Sequence, residues 1–146
     1  MTNSRINSEV FLQTSMQRYF TSPTEPATAL AVIKAEKLYT QAIENYTSVA
    51  TSELKLQLPF VVEFGAVGLK GVFLGVPPWD PSRGPYFGPF REDSLIRRYE
   101  LADASQETAL DTLGAFLEEL YDLAECRRSE VLSDEQVRLN KIPRRT

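Results

Sequence analysis

Apolar residues recur at spacings of three and four in the segment ADASQETALDTLGAFLEELYDLAECRR. Such spacing places one row of side chains on a single face of an amphipathic helix. The row consists of Leu110, Leu113, Leu117, Leu120 and Ala124. Asp103 is expected to cap the helix, with Gln106 three residues later, and the arginines at 127 and 128 suit its last turn. The sequence therefore predicts a long helix over 103–128 whose leucine row must be covered.

A second long helix is predicted over 24–51. The sequence SPTE at 22–25 fits a capping box with proline at the first helical position. The residues expected on its buried face are Ala31, Ala35, Leu38, Ala42, Tyr46 and Val49, with Tyr39 and Ile43 beside them. Its charged residues, Lys34, Glu36, Lys37 and Glu44, are expected in solvent. An alanine-rich face indicates close packing on a sheet or on another helix.

Three segments between these helices have strand character: 54–64, 67–76 and 94–101. The first two are rich in Val, Phe and Leu, and the glycines between them suit a hairpin or bulges. In the third, Arg97 and Arg98 are expected to form salt bridges on a half-exposed strand. Strands that follow one another through short links favour an antiparallel sheet. The expected fold is α+β, with a small antiparallel sheet of about three strands and two long flanking helices.

The loop PPWDPSRGPYFGPFR, at 77–91, combines prolines, aromatic residues and arginines. Prolines hold this backbone out of helices and central strands, and rigid aromatic side chains bury a large area at little entropic cost. Aromatic residues and arginine are also enriched in interface hot spots. The predicted partner-binding residues are Trp79, Arg83, Tyr86, Phe87, Phe90 and Arg91. The alternative is that the loop folds over the sheet and seals the core.

Composition fits one soluble globular domain, because 42% of the 146 residues are hydrophobic and 25% are charged. We place this domain at 1–140 and expect 141–146 to be a mobile basic tail that Pro143 separates from regular structure. The single cysteine and the lack of a secretory signal favour a reducing, cytoplasmic location. The apolar run 58–76 contains Glu63, Lys70 and four glycines, so no membrane span is expected.

No pattern in the chain indicates catalysis. Histidine is absent, which removes histidine-assisted hydrolysis and histidine zinc sites, and one cysteine cannot form a thiolate cluster. The glycines near Lys70 do not fit a phosphate-binding loop, since Lys70 is followed by Gly71 instead of Ser or Thr. We therefore expect no cofactor and no metal. The sequence favours a non-enzymatic protein-binding module, such as an adaptor, an assembly factor, a chaperone-like protein or an inhibitor.

Two alternatives concern the partner. Nine arginines after position 76 and the basic C-terminal tail suggest contacts with nucleic acid. Against this, the isoelectric point near 5.0 gives the chain the wrong overall charge for a phosphate backbone. The second alternative is a homodimer, in which the leucine row of the acidic helix packs against a second copy instead of the chain's own sheet.

Overall fold

A computed structural model describes residues 16–22, 25–53, 59–80, 84–103, 105–133, 135, 137–138 and 141–142. The strands of these residues are β1 (Met16–Ser22), β2 (Glu25–Ala31), β3 (Phe60–Val67), β4 (Phe73–Asp80), β5 (Gly84–Phe87) and β6 (Ser94–Leu101). Their helices are α1 (Val32–Ser48), which continues into a π-helical turn at Val49–Glu53, α2 (Gln106–Asp122) and the short α3 (Arg128–Val131). The predicted α+β class and the two long helices are confirmed.

The strands form two sheets instead of the single small sheet predicted. One has the order β1-β2-β4-β5, in which β2 and β4 run parallel, and the other pairs β3 with β6 antiparallel. The hairpin that the glycines suggested between the first two segments, 54–64 and 67–76, is wrong, because β3 pairs with β6 while β4 pairs with β2 and β5. The link 68–72 between β3 and β4 is held by the loop before β6, through the bonds Leu69 N–H to Asp93 O and Gly71 N–H to Phe90 O, both 2.9 Å.

The helix predicted over 24–51 begins eight residues later, at Val32, because the chain first forms β2. This strand lies between β1 and β4 and pairs with both, so the ladders outweigh the local capping signal. Ala29 and Leu30 are fully buried there. The residue before α1 is Ala31, whose side chain makes no cap hydrogen bond. The capping box predicted at 22–25 is therefore wrong.

The acidic helix is shorter at both ends than predicted. Ser105 is its N-cap, and the Ser105 hydroxyl accepts from the backbone N–H of Thr108, while Asp103 accepts from the N–H of Ser105. The helix ends at Asp122, and Glu125 then takes a positive φ of 58°. Arg128 consequently starts α3 instead of lying in the last turn of α2. The leucine row is buried as predicted, at Leu110, Leu113, Leu117, Leu120 and Ala124.

An aromatic cluster joins the two long helices to β3. The ring of Phe116 in α2 stacks on Phe64 of β3 with centroids 5.5 Å apart and meets Tyr39 of α1 edge-on at 5.6 Å. The hydroxyl of Tyr39 donates a 2.8 Å hydrogen bond to the carbonyl of Gly65, which fixes α1 against β3. The leucine row of α2 is thus covered from within the chain.

The structure differs from the prediction at the first two residues of the tail. Ile142 is fully buried, and its carbonyl accepts a 3.1 Å hydrogen bond from Nη2 of Arg128. Lys141 Nζ lies 4.0 Å from Glu44 Oε1 of α1. A large aliphatic side chain gains more by entering the core than by staying in water, so Ile142 packs despite its basic neighbours. Residues 143–146 lie outside the described residues.

Deleting residues 141–146 should lower the free energy of unfolding by about 2 kcal/mol or more, because it removes a buried isoleucine and leaves a cavity. A shorter deletion, of 143–146, is the matched control and should cost less than half as much. Urea denaturation of the two truncated proteins and the full chain measures both values. Equal midpoints for the full chain and the longer deletion would show that Ile142 contributes nothing to the core.

Candidate functional site

The predicted partner-binding residues do not all reach the surface. Trp79 lies in β4 and Tyr86 in β5, while Arg83 lies outside the described residues. Phe90 is only 1% exposed, and Phe87 is half-buried against the core. Arg91 is exposed. Phe90 thus seals the core, as the alternative interpretation of this loop expects, and Arg91 is available for contact with a partner.

The backbone of the loop explains why Phe90 points inward. Its N–H donates to Val72 O at 2.9 Å and its carbonyl accepts from Gly71 N–H, so both polar groups bond to the link before β4. Gly88, two residues earlier, has a φ of +101°, and a Cβ there would lie 3.0 Å from the backbone nitrogen of Phe90. Only glycine fits this position comfortably.

The most exposed apolar side chains of the described residues lie on one surface, which we call the outer face. It is the side of the β3–β6 sheet turned away from the core and comprises the alternate positions Val61, Glu63, Gly65 and Val67 of β3 with Ser94, Ile96, Arg98 and Glu100 of β6. Val61 is 62% exposed, Ile96 50% and Val67 46%. The opposite side carries the buried residues Phe64, Ala66, Leu95 and Leu101.

The register of the two strands places these side chains. Gly65 pairs with Ile96, and a Cβ at Gly65 would lie 3.4 Å from Cγ1 of Ile96, so the isoleucine leans over a position without a side chain. Val67 pairs with Ser94 at one end of the sheet. Because Asp93 O accepts from Leu69 N–H, the loop that contains Arg91 is held at this same end. The outer face therefore ends beside part of the predicted binding loop.

Both arginines of β6 are paired with glutamates, which confirms the expectation for Arg97 and Arg98. Arg98 Nη2 lies 3.6 Å from Glu63 Oε2 across the outer face, and Arg97 Nε donates a 2.7 Å bond to Glu119 Oε2 of α2. A second guanidinium nitrogen of Arg97 donates to the carbonyl of Ile96 at 3.0 Å. These pairs are exposed and contribute only about 0–1 kcal/mol each to stability.

A buried polar network, which the sequence did not predict, joins the two long helices to α3. Arg128 Nη2 lies 2.8 Å from Glu36 Oε1, Arg128 Nε donates to Glu36 Oε2 at 3.3 Å, and the Tyr121 hydroxyl also donates to Glu36. The side chains of Glu36 and Arg128 are both 0% exposed. Glu36 was expected in solvent, yet it lies four residues after Val32 and three before Tyr39, within the buried row of α1. That spacing was the available signal.

This network is enclosed, because the side chains of both charged partners are fully buried. Burial raises the pKa of the Tyr121 hydroxyl well above its usual range, and the negative charge of Glu36 raises it further. Burial alone would lower the pKa of Arg128, but its hydrogen bond and ion pair with Glu36 raise that pKa above the ordinary value. Arg128 therefore stays a cation inside the protein, and Tyr121 stays a hydrogen-bond donor.

Alkaline pH should destabilise the protein through its buried tyrosines. Burial raises the pKa of Tyr39 and Tyr121, so the folded state holds their protons more tightly than the unfolded state does. Their contribution to stability is fully present below the unfolded tyrosine pKa of about 10 and is lost as the pH rises beyond it. Absorbance at the tyrosinate band should show fewer than the chain's six tyrosines ionising before unfolding. If all six ionised together in the folded protein, this prediction would be wrong.

Other chemical groups are sparse in the part of the chain that the structure describes. No cluster of three or more Cys, Asp or Glu there could hold a metal ion. Cys126 is buried, and burial raises the pKa of its thiol to about 11, which makes it a poor nucleophile. Within the same residues, no helix has both the length and the apolar character needed to cross a bilayer.

Comparison with known proteins adds no relative. No protein-family model matches this chain, and neither a curated protein nor a solved structure matches it. The outer face and its neighbouring loop are therefore interpreted from their own geometry.

Proposed function

We propose that this protein is a non-enzymatic protein-binding module that presents the outer face, together with Arg91, to another protein. The observation that carries the proposal is the exposure of Val61, Val67 and Ile96 on one face of a two-stranded sheet. Single exposed aliphatic residues are common, whereas contiguous exposed apolar residues mark an interaction surface. Ile96 and Val67 lie in adjacent rows of this face, and Val61 lies beyond the Glu63–Arg98 pair. Fully burying one such side chain is worth about 1.5–3 kcal/mol.

The charges around the aliphatic residues support recognition. The guanidinium of Arg98 lies among them with its side chain 73% exposed, and its contact with Glu63 is long, at 3.6 Å. Arg91 is exposed at the Val67 end. Arginine is enriched in interfaces because its planar group binds carboxylates through two parallel hydrogen bonds. The partner that fits this surface offers apolar side chains and at least one carboxylate.

The remaining predicted contacts belong to the same proposal. Trp79, Arg83 and Tyr86 precede Arg91 in the proline-rich loop and its flanking strands, and we propose that they extend the surface. A cytoplasmic location is proposed with them, because the single cysteine is buried as a free thiol. Both statements stay predictions.

The alternative of nucleic-acid binding gains less support. Arg97, Arg98 and Arg127 each lie within 4 Å of a glutamate, at 2.7, 3.6 and 3.6 Å, and Arg128 is buried against Glu36. These four arginines therefore offer less charge to a phosphate backbone than the sequence suggested. We expect no binding of labelled single-stranded RNA or DNA even at about 50 mM salt, where such electrostatic contacts are strong.

Site-specific photo-crosslinking tests the proposed surface. A photoreactive amino acid replaces Ile96 in one sample and the exposed Lys34 of α1 in the control, and both are irradiated in extract from the native source. We expect a crosslinked protein from position 96 that is absent from position 34. Unlabelled wild-type protein should compete for this product.

A variant of the outer face, used as a competitor, distinguishes binding through this surface from non-specific crosslinking. The triple variant Val61→Thr, Val67→Thr and Ile96→Thr keeps β-branched side chains in the strands but removes much of their apolar surface. It should keep the melting temperature within a few degrees and fail to compete. Identical products at both positions, or equal competition by the triple variant, would overturn the proposal.

A further inference from the structure

We propose that β6 pairs with the β6 strand of a second copy of this chain, antiparallel and with the two-fold axis at Tyr99. Among the described residues, β6 hydrogen-bonds to one strand, β3, and is therefore at the edge of its sheet. This inference does not rest on the proposed function, since a monomer could bind a partner through the outer face while the edge of β6 stayed unused.

Two hydrogen bonds indicate which backbone groups face outward from this edge. In an antiparallel pair, opposed residues alternate between those that exchange hydrogen bonds and those whose N–H and C=O point away from each other. Gly65 and Ile96 are opposed, and their carbonyls accept instead from the Tyr39 hydroxyl and the Arg97 guanidinium. Ile96 is thus of the outward type. By alternation, Ser94, Arg98 and Glu100 also present their N–H and C=O to the outer edge.

The edge of β6 has few of the features that prevent pairing between chains. Natural edge strands are commonly protected by prolines, bulges, short length or charged side chains that project over the edge. β6 is eight residues long, contains no proline or glycine, and pairs with β3 over its whole length without a register shift. Arg98 lies toward Glu63 on the outer face, whereas the guanidinium of Arg97 also covers the outward carbonyl of Ile96. The open part of the edge is therefore at Arg98 and Glu100.

Charge and strand length together select one register for self-pairing. An axis at Arg97 or at Arg98 would place that arginine opposite its own copy, and an axis at Ile96 would place Glu100 opposite Glu92. An axis at Leu95 would oppose opposite charges, but only through residues 92 and 93, which precede β6, and it would pair only 94–96 of each strand. With the axis at Tyr99, Arg98 of each chain lies opposite Glu100 of the other, so two cross-strand pairs of opposite charge form. Opposite charges directly across a sheet stabilise the pairing of its strands, and like charges destabilise it.

The resulting sheet would have four strands in the order β3-β6-β6-β3. Both outer faces would then be continuous, which doubles the aliphatic surface on one side. This dimer differs from the one that the sequence suggested through the leucine row of α2. That row is buried within a single chain and is not available to a second copy.

Two single variants and their mixture test the contact and its register together. Arg98→Glu places glutamate opposite glutamate at both sites, and Glu100→Arg places arginine opposite arginine. Each variant alone should raise the dimer dissociation constant by roughly tenfold or more in sedimentation equilibrium. An equimolar mixture should restore association, because a heterodimer of the two variants again pairs opposite charges at both sites. Lys34→Glu, the same charge change on α1, should leave the dissociation constant unchanged.

Amide hydrogen exchange gives a second measurement that needs no substitution. At increasing protein concentration, the amides of Arg98 and Glu100 should exchange more slowly, while those of Arg97 and Tyr99, which face β3, should not change. Circular dichroism checks that each variant is folded. A wild-type protein that stays monomeric, a dimer that neither variant weakens, or a mixture that does not recover association would each overturn the proposal.

Discussion

Replacing Arg128 with alanine should lower the free energy of unfolding by about 3–5 kcal/mol, because it leaves the Glu36 carboxylate buried without its cation. The two side chains are fully buried and joined by two hydrogen bonds, and the same guanidinium also donates to the carbonyl of Ile142. One substitution therefore removes partners from α1 and from the C-terminal segment at once. Urea denaturation of the purified protein measures the loss.

Two comparisons separate the buried ion pair from ordinary packing. Arg127→Ala removes the neighbouring arginine, whose contact with Glu130 is exposed, and should cost no more than about 1 kcal/mol. Glu36→Leu combined with Arg128→Met removes both charges and should be far less destabilising than Arg128→Ala alone. If Arg128→Ala does not yield folded protein, the free energy of unfolding of Arg128→Met can be compared with that of the double variant instead. Equal stability of Arg127→Ala and Arg128→Ala would refute the role given to this network.

Phe116→Ala should cost about 3–5 kcal/mol, as removal of a buried aromatic ring leaves a cavity among its neighbours. Phe116 is fully buried and contacts both Phe64 and Tyr39, so the cavity would open where α1, α2 and β3 meet. Phe116→Leu fills much of that space and is the matched control, with a smaller expected loss. Denaturant midpoints and slopes for both variants provide the measurement. A loss below about 1 kcal/mol for the alanine variant would mean that the cluster closes around the gap.

The hydrophobic periodicity of the sequence predicted those elements whose local pattern and tertiary contacts favour the same secondary structure. The leucine row of α2 is buried at every predicted position, and β6 spans the predicted residues Ser94–Leu101. The prediction failed at residues 25–31, where a good capping sequence is followed by alanines. That segment becomes β2 because it pairs on both edges, a condition set by β1 and by β4 more than forty residues away. No local pattern contains this information.

For the candidate site too, the sequence indicated some features and only the fold shows the others. Composition drew attention to the proline-rich loop, but only the fold distinguishes the buried Phe90 from the exposed Arg91. The outer face could not be found from β3 alone, since Val61 and Val67 look like core residues in an apolar run. Their exposure follows from the pairing of β3 with β6, which leaves one side of a two-stranded sheet uncovered.

The bond between Glu36 and Arg128 also has a consequence for the order of folding. The two residues are 92 positions apart, so their contact closes a very long loop and cannot nucleate folding by itself. We expect helices α1 and α2 to pack before Arg128 reaches this buried carboxylate. Interactions that form after the transition state mainly govern how fast a protein unfolds. We therefore expect this ion pair to form late in folding. Its loss should raise the unfolding rate and leave the folding rate nearly unchanged.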